Sequence, residues 1–119
     1  MSENRHFSRV GFEAETWLET SGKRFDVHLH DLSLKGALVS FDGQFPLAEG
    51  EICPLHIKLS GSDIVLSFQS RLLHIDGQNL GFKFEILDIE SLTHLRSIME
   101  ANIGDTAIID RELFFFPEG

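Results

Sequence analysis

Cysteine is almost absent from this sequence, with Cys53 the single one in 119 residues. That excludes an internal disulfide, so the fold must rest on its own core, which a chain of this length can build. A lone thiol also fits a reducing compartment. Tyrosine is missing altogether and tryptophan occurs once, against eleven phenylalanines. The core is therefore expected to use wholly apolar rings. No apolar run approaches the roughly 20 residues that a membrane helix needs. The opening Met1-Ser2-Glu3-Asn4-Arg5-His6 has no apolar stretch of the signal-peptide kind. Hydrophobic residues at 42% and charged residues at 24% fit a globular rather than a disordered chain. The expectation is one soluble, cytoplasmic domain over residues 1–119, without membrane insertion.

Positive charge is scarce as well. Ten Lys and Arg stand against nineteen Asp and Glu, for a net charge of −9. A general nucleic-acid binder needs a broad basic surface, so no nucleic-acid partner is expected. The deficit is uneven: residues 1–41 hold five Lys/Arg against six Asp/Glu, residues 85–119 two against eight. An anionic ligand is thus directed to the N-terminal third.

Catalytic signatures are also missing. There is no Gly-x-Ser-x-Gly and no Gly-rich phosphate loop. Six histidines are present, but the nearest approach to metal-ligand spacing is His28-Leu29-His30-Asp31, with Asp26 on the same strand face. That pattern reads first as the polar outer face of a half-buried strand. Cys53 has no basic neighbour and reads as a buried structural thiol. No catalytic residue, metal site or cofactor is expected.

Short strands dominate what is present. Phe12–Glu19 partly alternates apolar and polar, Ser21-Gly22 makes a turn, and Arg24–Asp31 alternates cleanly. Ala37–Phe41, Ile52–Leu59, Ile64–Ile75 and Leu80–Ile86 follow. Strands at roughly 10-residue spacing predict an antiparallel barrel or sandwich. After Leu87 the period changes: Asp88 or Ser91 can cap a helix whose Leu92, Leu95, Ile98 and Met99 form one apolar stripe. A shorter helix is expected around 105–113, before the tail Phe114-Phe115-Phe116. The divisions are a mobile N-terminal segment 1–9, a barrel 10–87 and a helical segment 88–113.

Two segments could carry chemistry. Arg5-His6-Phe7-Ser8-Arg9 places two forked, permanently charged guanidinium groups just before the first strand, suited to phosphate or a guanine edge. Asp31-Leu32-Ser33-Leu34-Lys35-Gly36 links two apolar strands. There Asp31 could accept guanine N–H groups, Ser33 could donate and accept, and Gly36 could allow a positive φ or close backbone approach to a ligand. Together they match a small anionic purine nucleotide.

In this order the motifs resemble the signature of the PilZ domain family, Arg-x-x-x-Arg followed by Asp/Asn-x-Ser-x-x-Gly: here Arg5 and Arg9, then Asp31, Ser33 and Gly36. The likeness covers essentially the whole chain. It runs through Leu80-Gly81-Phe82, which looks like the Gly-Phe strand near the family's barrel end, to the helix from Asp88. The resemblance implies a mainly β fold: a six-stranded antiparallel barrel with a C-terminal helix or helices that binds the bacterial second messenger cyclic di-GMP. The arginines would clamp phosphates and guanines, and the Asp-x-Ser-x-x-Gly strand end would receive a guanine. Many members carry a further arginine beside the first motif arginine, where this chain has Asn4 and His6. Lys35, inside the second motif, is a candidate compensating cation, His74, near the barrel rim, a candidate ring to stack on a guanine, and His6 and Gly81 are further candidates. The implied protein is a monomeric, non-enzymatic receptor whose N-terminal segment shifts on binding and signals to an unidentified protein partner. The alternatives are a PilZ-like protein-interaction module with little or no nucleotide binding and, further off, a metal-dependent enzyme using Asp26, His28 and His30.

Overall fold

The hairpin expected at Ser21-Gly22 is present in the computed structural model, which describes residues 10–11, 14–86 and 89–103. Strand β1 is Val10–Gly11. Strand β2 (Glu15–Thr20) pairs antiparallel with β3 (Lys23–Leu32) around the two turn residues. Both have positive φ, 56° at Ser21 and 73° at Gly22, which matches the twist of the flanking strands. Four more strands follow: β4 (Gly36–Ser40), β5 (Ile52–Lys58), β6 (Val65–Asp76) and β7 (Asn79–Ile86). Their order is β3-β2-β5-β6-β7-β4, and β4 pairs back onto β3. The result is a closed six-stranded antiparallel barrel, which removes free sheet edges. Along β3, β2 covers Lys23–Val27 and β1 covers Asp31–Leu32 on the same edge.

Alternation fills the barrel interior. Leu18, Leu55, Ile57, Leu66, Phe68 and Leu72 are all buried, and Phe68 stacks on Phe84 with ring centroids 4.1 Å apart. Phe25, Phe41 and Phe45 meet edge to face, with centroids 5.3–5.7 Å apart. Cys53 is 2% exposed, and burial pushes its thiol up to about 11. At neutral pH it is therefore an uncharged core group.

Helix α1 (Ile89–Ile103) buries Leu95, Ile98 and Met99 and half-buries Leu92, packing on β6 and β1. The helix starts before Ser91, so Ser91 lies inside its first turn, and Asp88 lies outside the described residues. The segment 1–9, the helix expected at 105–113 and Phe114–Phe116 also lie outside them.

Candidate functional site

Strict alternation along β3 would send Asp31 inward beside Leu29. A bulge prevents it. Leu29 faces Val39 and Asp31 faces Leu38, which leaves His30 as the extra residue. The strand is re-phased: Leu29 and Leu32 are buried, while Asp31 turns outward and is half-buried. β6 repeats the device. Leu72 faces Phe82 and His74 faces Gly81, so Leu73 is extra and His74 emerges on the outer surface.

Both bulges deliver their residues to one rung. Asp31 pairs with Leu38, Leu38 with Gly81, and Gly81 with His74. Asp31 and His74 thus end a row spanning three strand spacings, about 14 Å along the sheet. Gly81 keeps the middle of the row low: a Cβ there would lie 3.6 Å from the Cβ of His74, in ordinary contact. The outcome is an outward-facing row, a tray with a carboxylate at one end and an imidazole ring at the other.

The next rung carries positive charge. Gly36 pairs with Lys83, and Lys83 with Arg71. Arg71 is tethered, its Nε donating to Glu85 at 3.0 Å and its Nη1 to the Gly50 carbonyl at 2.6 Å. The bond from Arg71 is the chief cause holding the Glu85 carboxyl below its usual range. Partial burial lowers the Lys35 ammonium, the charge of Lys83 lowers it further, and Glu85 opposes both.

Ser33 and Gly36 act on the backbone. Ser33 is fully buried; its Oγ accepts from the backbone N–H of Lys35 and of Gly36 at 3.1 and 3.2 Å. Its N–H donates to the Gly36 carbonyl at 2.9 Å. The hydroxyl thus holds the β3–β4 turn. A Cβ at Gly36 would lie 2.0 Å from the Phe82 carbonyl oxygen. The close approach that requires glycine is to the backbone of β7, where the barrel closes.

Arg5, His6 and Arg9 lie outside the described residues. Arg9 is nevertheless joined covalently to Val10, and the register of β1 is Val10 with Leu32 and Gly11 with Asp31. Val10, the residue that follows the first motif in sequence, is thus paired at the strand end that carries the second.

His28, His30 and His56 take other partners. His30 shares a 2.9 Å hydrogen bond with Ser40 Oγ and lies edge-on to His28, with centroids 4.6 Å apart. Asp26 accepts from Arg24 Nε at 2.8 Å. Among the described residues, no three His, Cys, Asp or Glu side chains come together in a group that could hold a metal. Across the ring from β4 and β7, Trp17 on β2 stacks on His56 of β5 at 5.3 Å, with the Arg24 guanidinium 4.0 Å from the Trp17 ring centre.

Residues 3–101 match the family description of the PilZ domain. The chain belongs to the PilZ domain family. Solved structures agree on the fold. The PilZ domain of Escherichia coli YcgR, whose structure contains c-di-GMP, is similar over 86% of this chain and 93% of its own, with 19% identity and a TM-score of 0.70. YcgR in complex with c-di-GMP matches 83% of this chain at 20% identity and a TM-score of 0.66. The Bacillus subtilis inhibitor of motility matches 97% at 12% identity and a TM-score of 0.70. This chain spans 46% and 54% of those two longer proteins. Asp31, Ser33, Lys35, Gly36, His74 and Gly81 are visible as candidates in the sequence, whereas Leu38, Arg71 and Lys83 are not. The β4–β7 pairing brings Leu38 beside Gly81 and Lys83 beside Gly36, and the β6–β7 pairing adds Arg71. Alternation of Leu80, Phe82 and Phe84 marks Lys83 as outward without saying which strands flank it.

Proposed function

We propose that this chain is a receptor for cyclic di-GMP, acting without catalysis as an adaptor in the cytoplasm. The observation that carries this reading is the register of β1, which brings the peptide following Arg9 alongside Asp31, at one end of the Asp31–Leu38–Gly81–His74 row. Arg5 and Arg9 would hold the phosphates by charge-assisted, forked hydrogen bonds. Asp31 would accept from guanine N1–H and the exocyclic amine, and His74 would stack on a base. Ser33 and Gly36 support the site by fixing the turn. Closure of residues 1–9 over the tray, within a single domain 1–119, would change the surface that a partner protein reads. The YcgR structures with c-di-GMP support the ligand class for the fold.

Guanine selectivity tests this reading. Adenine offers no donor pair to a carboxylate, so cyclic di-AMP would leave Asp31 desolvated and poorly matched, a penalty of roughly 1–3 kcal/mol. In competition titrations the wild type should prefer cyclic di-GMP by at least about tenfold. Asp31→Ala should narrow that gap and lower affinity. Equal affinity of the wild type for the two dinucleotides would refute guanine reading by Asp31.

A further inference from the structure

Lys35 and Lys83 sit together on the barrel wall for a reason visible in the backbone. Gly36 lets β4 approach β7 so closely that its missing Cβ points at the Phe82 carbonyl and at Lys83 Cα, 3.2 Å away. The Phe84 N–H bonds the Lys35 carbonyl at 2.8 Å. Lys35 therefore lies beside the Lys83–Phe84 peptide, and Arg71 follows on the far side of Lys83. Arg71, Lys83 and Lys35 all act on Glu85 by charge, and Arg71 also donates to its carboxylate. These cations lie together in a chain of net charge −9. They border the rung that carries Asp31, Leu38, Gly81 and His74. The like charges of Lys35 and Lys83 disfavour each other, and an incoming anion would relieve that repulsion.

We propose that Lys83, paired with Lys35, is a second phosphate-binding element of the tray, supplying from the barrel wall the positive charge that Asn4 and His6 do not supply from the N-terminal segment. The proposal rests on the cyclic di-GMP reading above. The phosphate would lie over the Gly36–Lys83 pair, next to the low floor at Gly81.

Calorimetric titration of the full chain with cyclic di-GMP, at low and at high salt, tests it. Lys83→Gln should weaken binding about three- to fivefold at low salt, and less at high salt, where screening already masks the charge. Lys83→Arg should stay within about twofold of wild type, and Lys35→Gln/Lys83→Gln should lose about tenfold or more. Lys83 lies on the half-exposed wall, so thermal unfolding should change little. A Lys83→Gln protein that binds like wild type at both salt concentrations overturns the lysine assignment. A wild type that shows no binding overturns the receptor reading instead.

Discussion

Arg9→Ala should lower affinity for cyclic di-GMP by roughly 30- to 150-fold while leaving the thermal unfolding of the barrel unchanged. The magnitude follows from losing a charge-assisted, two-pronged contact, about 2–3 kcal/mol. Arg9 is the motif arginine nearest the fold: Val10, the next residue, pairs with Leu32. The residue that follows it is thus held beside the strand end where Asp31 turns outward, whereas Arg5 stands four positions earlier in the sequence. Arg9→Lys should recover only part of the loss, because an ammonium group carries the charge without the fork. Calorimetry resolves a change of this size easily. Wild-type affinity in Arg9→Ala would remove the N-terminal motif from the site.

The other large effect is on stability. Gly36→Ala should lose about 3–5 kcal/mol, a severe class of single-site damage, and unfold about 10 °C or more below the wild type. A Cβ is fixed to the backbone, so no rotamer moves it away from the Phe82 carbonyl oxygen at 2.0 Å. Relief requires β4 and β7 to separate at the Gly36–Lys83 and Ala37–Phe82 pairs. It would also disturb the turn bonds from Ser33. Gly81→Ala is the informative contrast. Its added Cβ would find neighbours no nearer than 3.6 Å, so the fold should tolerate it while the raised floor weakens ligand binding. If Gly36→Ala melts with the wild type, the glycine is not there for barrel closure.

The same pair of glycines shows how far the sequence could be read. A glycine ending Asp-x-Ser-x-x-Gly is visible without a structure, but its neighbour is not. From sequence Gly36 reads as access for a ligand, and in the fold it is the point where β4 meets β7. Ser33 shifts in the same way, from a hydroxyl offered to a base to one buried in its own turn. The strands themselves were legible because Phe25, Val27 and Leu29, or Leu80, Phe82 and Phe84, alternate cleanly. Phase is what alternation misses. Carried past Leu29 and Leu72 without interruption, it points Asp31 and His74 into the core, and only the bulges at His30 and Leu73 bring them out on one rung. Lys83 and Arg71 are hidden for a related reason, since the shifted β6–β7 register pairs them and the β4–β7 contact sets Lys83 beside Gly36.

The most direct test of the tray as the ligand site is the amide NMR spectrum of the labelled protein during addition of cyclic di-GMP. The largest shifts should fall on Arg9–Gly11, Asp31–Leu38, His74 and Gly81–Lys83, together with the amides of residues 5–8 as that segment closes over the ligand. Trp17 and His56, across the ring from β4 and β7, should keep their positions. Saturating ligand that leaves the Asp31–His74 row unmoved, or that instead shifts the Trp17–His56 face, would contradict this placement of the site.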